Sequence, residues 1–140
     1  MSPLCQEINL VLEKWQQYLL LAMDIAEKLV DCDIDDFSIH LDHRHRIMYK
    51  TEECKKEYLS LWESWSRQSN VDQGERAVLV EKRKIISEMG PKIHFQTEKI
   101  LYVMNVRLSR IKLEMASHHK TQKAIKSYVS VGSKSAMVIG

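Results

Sequence analysis

Residues 4–30, LCQEINLVLEKWQQYLLLAMDIAEKLV, form the most regular stretch of the sequence. Apolar residues recur in it at steps of three and four, which places their side chains on one face of an α-helix. Ser2 suits the N-cap, and Pro3 fits the first helical position, where no N–H is needed. At about 1.5 Å per residue this predicted helix is roughly 40 Å long, the length of a bundle element. Its predicted apolar stripe is Leu4, Ile8, Val11, Leu12, Trp15, Leu19, Ala22, Met23, Ala26, Leu29 and Val30.

A second helix is predicted to start near Asp33, with a stripe that is weaker in its middle. The polar stretch from Lys50 to Lys56 leaves open whether residues 50–75 form one helix or two. The segment from Ser66 to Gly74 is the predicted loop. The stripe consists of Ile34, Phe37, Leu41, Met48, Tyr58, Leu61, Trp62 and Trp65.

A third helix is predicted to open at Asp72, where Glu75 three residues later resembles a capping box. Gly90-Pro91 predicts a helix end or a sharp kink, because proline disfavours a helical conformation in the residue before it. A further helix is then predicted from Pro91 to about Tyr128. The apolar residues before the break are Val78, Leu79, Ile85, Ile86 and Met89.

These segments predict an all-α protein, an antiparallel bundle of three to four helices with long first and last helices. Four Gly and two Pro among 140 residues are too few for the turns of an all-β fold. We expect residues 1–128 to form the helical domain. Residues 129–140, rich in small residues, are expected to be a flexible tail.

Composition points to a cytoplasmic protein. No stretch approaches the roughly 18 apolar residues of a membrane span, so no membrane insertion is expected. The amino terminus lacks the succession of a signal peptide. Cys5, Cys32 and Cys54 are odd in number and have no paired spacing, which favours free thiols in a reducing compartment.

Catalytic and metal chemistry find little support in the sequence. Nucleophile motifs and phosphate-binding glycine loops are absent, so an enzyme is not expected and no cofactor is predicted. Asp31, Asp33, Asp35 and Asp42 imitate a calcium loop, but the position that needs Gly holds Asp36. An acidic helix start, favoured by the helix dipole, explains the same residues.

Zinc has a weak candidate site in His40 and His43, with Asp36 one turn earlier. No second cluster supplies the remaining ligands, and the adjacent His118 and His119 diverge on a helix. Solvated histidines are the simpler interpretation.

Charge is unevenly distributed: residues 1–60 carry a net charge of −5, and residues 61–140 a net charge of +7. A basic last helix can bind phosphates, but no recognition motif accompanies it, so nucleic-acid binding is disfavoured. The basic residues are Lys99, Arg107, Arg110, Lys112, Lys120, Lys123 and Lys126.

The last helix is predicted to have two apolar faces. One carries Ile93, Thr97, Ile100, Met104, Leu108, Ile111 and Met115; we call it the first stripe. The opposite face carries Phe95, Tyr102, Val106 and Leu113; we call it the second stripe. A helix with two apolar faces must cover both. The second stripe is therefore expected to meet another helix of the bundle, a second subunit, or the amphipathic helix of a partner.

A loose internal repeat with an offset of 39 relates Asp33, Arg44 and Ile47 to Asp72, Arg83 and Ile86. The segment Leu79-Val-Glu-Lys-Arg83-Lys-Ile-Ile86, the break at Gly90-Pro91 and the basic end Lys120-Thr-Gln-Lys-Ala-Ile-Lys-Ser-Tyr128 resemble flagellar export chaperones of the FliT/FlgN kind. The similarity covers residues 72–128 best and residues 33–48 weakly. The Trp62/Trp65 segment and the long first helix have no counterpart in that pattern.

The resemblance implies a chaperone that binds the C-terminal helix of a late flagellar subunit and delivers it to the export apparatus. The filament-cap protein is the expected cargo for the FliT type, and the hook–filament junction proteins for the FlgN type. Phe95, Tyr102, Val106 and Leu113 are the expected partner-binding residues, and Lys120, Lys123 and Tyr128 belong to a segment expected to shield the groove. A generic dimerisation or scaffold protein, with a homodimer at the second stripe, and a basic regulator of nucleic acid are the alternatives.

Overall fold

The computed structural model describes the backbone of residues 2–139 and the side chains of residues 2–129. It contains three helices, α1 (Pro3–Asp31), α2 (Ile34–Ser66) and α3 (Gln73–Ile139). No strand occurs within the described residues, and the predicted all-α class is confirmed. The chain divides into two compact units, Met1–Ile100 and Leu101–Gly140.

The first unit is a three-helix bundle in which α1 and α3 run parallel and α2 runs opposite to both. Three hydrogen-bonded pairs join α1 and its N-cap to α3, and each spans 73 residues: Ser2 with Glu75, Asn9 with Lys82, and Met23 with Gln96. Contacts to α2 run in the reverse sense, because its late residue Tyr58 meets Trp15 and its early residue Arg44 meets Thr97. The predicted antiparallel order of consecutive helices therefore holds in this unit.

Buried positions follow a heptad pattern in all three helices. In α1 they include the continuous series 5, 8, 12, 15, 19, 22, 26 and 29, with steps of three and four. In α2 the series is 44, 47, 51, 54, 58 and 65. In α3, Leu79, Ile86, Met89, Ile93 and Ile100 fit the same spacing. Steps of three and four that average 3.5 residues are those of left-handed helix packing, so the bundle packs as a coiled coil does.

The start of α1 matches the prediction. The backbone N–H of Cys5 donates to the hydroxyl of Ser2 at 3.2 Å, and Pro3 occupies the first turn. Burial of the stripe follows the prediction at eight of eleven positions, since Leu4, Met23 and Val30 are only half-buried. Cys5 and Ile25, which the stripe did not include, are also buried. The three cysteines are free thiols, as predicted.

Helix α2 runs without a break from Ile34 to Ser66, which settles the question left open for residues 50–75. Thr51 and Cys54 are buried, so the core continues through the polar stretch Lys50 to Lys56, where the sequence shows only a weak apolar stripe. Thr51 satisfies its hydroxyl by donating to the carbonyl of Met48 at 2.7 Å. Ile34, predicted to lie in the stripe, is instead exposed.

Asp72 caps α3, because the backbone N–H of Glu75 donates to its Oδ1 at 3.0 Å. Glu75 does not complete a reciprocal box; its carboxylate accepts a hydrogen bond from the backbone N–H of Ser2 at 3.2 Å. The residue therefore links the starts of α1 and α3.

The predicted break at Gly90-Pro91 is wrong, because α3 continues through Pro91. A proline inside a helix costs about 3 kcal/mol through its lost N–H and its clash with the preceding turn. Met89 and Ile93, on either side, are both buried, so packing in the first unit offsets that cost. Gly90 helps since it has no Cβ to crowd the proline ring. No separate fourth helix begins at Pro91.

The end of α3 also differs from the prediction. The sequence predicts a helix end near Tyr128, whereas the helix continues to Ile139. No proline stops the helix after Tyr128. Side chains from Ser130 onward lie outside the described residues, and the flexible tail over residues 129–140 stays a prediction. Within the described part of the chain, none of the helices has the length and apolar character needed to cross a membrane.

Candidate functional site

The candidate site lies on the part of α3 that belongs to the second unit; residues 101–129 are called the C-terminal segment below. None of its side chains is buried: all are exposed except Val103, Met104, Val106 and Arg107, which are half-buried. Exposed large apolar side chains are unusually frequent in it. They are Leu101, Tyr102, Leu108, Ile111, Leu113, Met115, Ile125, Tyr128 and Val129.

Three of the four predicted partner-binding residues lie on the C-terminal segment. Tyr102 is 69% exposed, Leu113 is 71% exposed and Val106 is half-buried. Phe95, the fourth, belongs to the first unit and is 67% exposed there. Three of the four residues of the second stripe are therefore exposed, and Val106 is half-buried. That the stripe binds a partner stays a prediction.

The first stripe changes character along its length. Ile93 and Ile100 are buried in the first unit. Leu108, Ile111 and Met115 are exposed in the C-terminal segment. This exposure was not predicted, because helical periodicity places residues on one face but does not show whether another helix covers that face. Length was the available signal: α1 and α2 have 29 and 33 residues, whereas α3 has 67.

The C-terminal segment is strongly basic. It has six basic residues and one acid, Glu114, for a net charge of +5. At about 100° per residue, Lys112 and Lys123 fall between the two stripes on one side of the helix, and Arg110 falls between them on the other. The other basic residues are Arg107, Lys120 and Lys126.

The residues of the predicted shielding segment are exposed. Lys120, Lys123 and Tyr128 all lie on the surface of the helix, and Tyr128 is 83% exposed. Their shielding role stays a prediction.

The segment Leu79 to Ile86, which carries the family resemblance, lies in the first unit and packs there. Leu79 and Ile86 are buried. Between them, the Arg83 guanidinium lies over the ring of Trp15 at 4.7 Å and over the ring of Tyr58 at 5.6 Å. Burial raises the pKa of the Tyr58 hydroxyl, and the positive charge of Arg83 opposes part of that effect. The motif thus joins all three helices.

Arg44, the counterpart of Arg83 in the repeat, is buried more deeply, at 5% exposure. Its Nη2 donates to Thr97 Oγ1 at 3.0 Å, and its Nε has no hydrogen-bond partner within the described residues. Burial lowers the pKa of its guanidinium, which nevertheless stays charged at neutral pH. Both arginines of the repeat therefore act in the bundle.

Metal and small-molecule sites are weak in the described part of the chain. No group of three His, Cys, Asp or Glu side chains is placed to hold a metal ion there, which does not support the calcium and zinc patterns at residues 31–43. A groove of about 290 Å³ in the first unit has mixed chemistry; it is lined by Ala26, Glu27, Val30, Asp31, Gln96 and Lys99.

The C-terminal segment is exposed and basic and has two apolar stripes, so it is the strongest candidate site in the described residues. Its chemistry suits protein recognition, because it offers apolar contact area and positive charge. No protein-family model matches the chain, and no curated protein or solved structure shows significant similarity to it.

Proposed function

We propose that this protein is a cytosolic export chaperone that binds the amphipathic C-terminal helix of a late flagellar subunit. The filament-cap protein is the favoured cargo, and the hook–filament junction proteins are the next candidates. The chaperone would cover a helix that otherwise polymerises, and would release it to the flagellar type III export apparatus. The proposal rests on the sequence resemblance to FliT/FlgN chaperones and on the accessible C-terminal segment.

The single observation that carries the proposal is the exposure of large apolar side chains on a helix that offers two apolar stripes. Tyr102, Leu108, Leu113 and Met115 are each at least half exposed. Burying one such side chain contributes roughly 1.5–3 kcal/mol. Together, the four side chains offer at most roughly 6–12 kcal/mol before the cost of association is subtracted, which suits a reversible complex. Helix-in-groove recognition uses this chemistry.

The first unit supplies a folded core of its own. Trp65, Leu12 and Leu79 are almost fully buried within it, and its helices follow one continuous heptad pattern. A stable bundle leaves the C-terminal segment available for a transient partner, because folding of the first unit does not depend on burying that segment.

A homodimerising scaffold is the alternative, since a second copy also has apolar faces to offer. Pairing of two C-terminal segments would bring two charges of +5 together, which disfavours this arrangement. The two functions differ in a simple observable, because a scaffold is dimeric without cargo, whereas a chaperone forms a 1:1 complex with cargo.

The test is co-purification of the tagged full-length chain with filament-cap and hook–filament junction proteins of the same genome, with size measured by light scattering. The test variant is Tyr102→Glu with Leu113→Glu. A matched control, Tyr49→Glu with Leu10→Glu, changes residues of the same type at similar exposure on the first unit; Tyr49 is 67% and Leu10 63% exposed.

We expect wild type and the control to retain one of these subunits and the test variant to lose it. Circular dichroism must show equal helicity in all three proteins. If folded wild type binds none of the subunits, and is a dimer that the test variant dissociates, the chaperone proposal is wrong and the scaffold takes its place.

A further inference from the structure

The two apolar stripes of the C-terminal segment cannot be covered by one flat surface or one helix. Met104, Leu108, Ile111 and Met115 fall within one sector of about 60°, and Tyr102, Val106 and Leu113 fall on roughly the opposite side. A bilayer surface buries one face of an amphipathic helix and requires a polar face opposite. A single partner helix likewise fills one seam. Full coverage needs two helical segments, one against each stripe.

The charges beside the stripes define the polar chemistry of those segments. Lys112 lies beside the stripes on one side and Arg110 on the other. Lys123 is on the same side of the helix as Lys112, about 16 Å further along it. In the described part of the chain these three side chains form no salt bridge. Positions that flank an apolar seam select partners by charge, as the edge positions of coiled coils do. A complementary partner therefore presents Asp or Glu beside its apolar residues.

Other occupants fit this surface less well. A second copy of the same segment repeats its basic charge and repels it. Nucleic acid would neutralise the lysines and leave the exposed leucines and methionines in water. An anionic membrane would match the charge but would cover only one stripe.

We infer that the partner of the C-terminal segment is an acidic pair of amphipathic helices, a helical hairpin whose two helices each cover one stripe. This inference rests on the proposed function and extends it: the cargo's C-terminal helix covers one stripe, and a second helix of the same cargo covers the other. It predicts that both helical segments carry acidic residues beside their apolar positions.

The test uses designed probes and the full-length chain. Three dye-labelled monomeric hairpins share one apolar pattern and carry Glu, Gln or Lys at the flanking positions; a single-helix version of the Glu probe is the fourth. Binding is measured by fluorescence anisotropy at about 50 mM and about 300 mM salt, because exposed charge pairs are screened over this range. Vesicles containing anionic phospholipid form a fifth arm.

We expect the Glu hairpin to bind about tenfold more tightly than the Gln hairpin at low salt, as several exposed pairs together would give. The difference should shrink at high salt, and the single helix should bind more weakly than the hairpin. Lys112→Glu with Lys123→Glu should abolish the preference for Glu. The matched control, Lys84→Glu with Lys92→Glu, changes exposed lysines of the first unit and should keep it.

The inference is overturned if the Gln and Lys hairpins bind as well as the Glu hairpin, if the single helix binds equally tightly, or if only vesicles bind. The outcomes for the proposed function are separate. A flagellar subunit that binds wild type and Lys112→Glu/Lys123→Glu equally would leave the chaperone in place and refute the acidic partner. Binding of the Glu hairpin without binding of any flagellar subunit would support the acidic helical partner and refute the chaperone.

Discussion

The guanidinium of Arg83 lies 4.7 Å from the ring centroid of Trp15, and this contact joins α3 to α1. The same guanidinium lies 5.6 Å from the ring of Tyr58 on α2, so one side chain touches aromatic rings on both of the other helices. A cation over an aromatic face is attracted by the ring's quadrupole. The segment Leu79 to Ile86, which resembles a motif of export chaperones, therefore stabilises the bundle of the first unit.

Arg83→Ala should lower the free energy of unfolding by about 1–2 kcal/mol, because it removes both cation–π contacts and the packing of the arginine stem. Urea unfolding measures the change. Lys84→Ala, at the exposed neighbouring position, is the control and should change stability by less than about 0.5 kcal/mol. Equal effects of the two substitutions would show that the ring contacts contribute nothing.

Pro91→Ala should stabilise the protein by about 1–3 kcal/mol, because it restores a backbone N–H inside α3 and removes the clash of the proline ring. Thermal and urea unfolding measure the gain. Adding Gly90→Ala to this variant should contribute up to about 1 kcal/mol more, since a Cβ at Gly90 meets no atom within 4 Å. A loss of stability on Pro91→Ala would indicate that the chain needs a break at this point.

Thr97→Val should destabilise the protein by about 1–3 kcal/mol, because it leaves the buried Nη2 of Arg44 without its acceptor. The same change should cost less than about 1 kcal/mol in an Arg44→Met background, where no buried charge remains. A double-mutant cycle on urea unfolding gives the coupling. Equal costs in the two backgrounds would mean that the hydrogen bond to Thr97 does not stabilise Arg44.

Glu13 should titrate below the ordinary range of a glutamate. A hydrogen bond and the positive charge of Lys82, at 3.0 Å, lower the pKa of its carboxyl. Because the pKa is lower in the folded chain than in the unfolded chain, the contribution of Glu13 to stability is present above the unfolded pKa. This contribution is lost as the pH falls through the pKa that Glu13 has in the folded chain.

The carboxyl carbon shift of Glu13, followed by NMR against pH, measures this effect. Lys82→Met should return the pKa towards its ordinary value, whereas Lys14→Met, a change at an exposed lysine on α1, should leave it lowered. An unchanged pKa in Lys82→Met would contradict the assignment.

The sequence predicted the helices best where propensity and periodicity agreed. In α1, the Ser2 cap and an unbroken stripe identified the helix and nearly all of its core. In α2 the same heptad spacing was present, but Arg44 and Thr51 occupied two of its positions, and a search for apolar residues does not recognise them. Periodicity of apolar residues is therefore a weaker guide where the core contains polar side chains.

The error at Pro91 had a larger consequence. Local propensity argues for a break, whereas the burial of Met89 and Ile93 in the first unit favours a continuous helix. Only tertiary packing decides between them, and a single sequence does not contain that information in local form. Leu108 and Met115 belong to the second unit and are exposed there, which local propensity does not reveal.

Hydrogen exchange shows which part of the chain binds the cargo helix. Amide exchange of the full-length chain is measured with and without a peptide comprising the C-terminal helix of the filament-cap protein from the same genome. We expect slower exchange over residues 101–129 on addition of the peptide, and little change in α1 and α2. Binding of the peptide with protection confined to α1 and α2, or no binding by a folded chain, would contradict the proposed function.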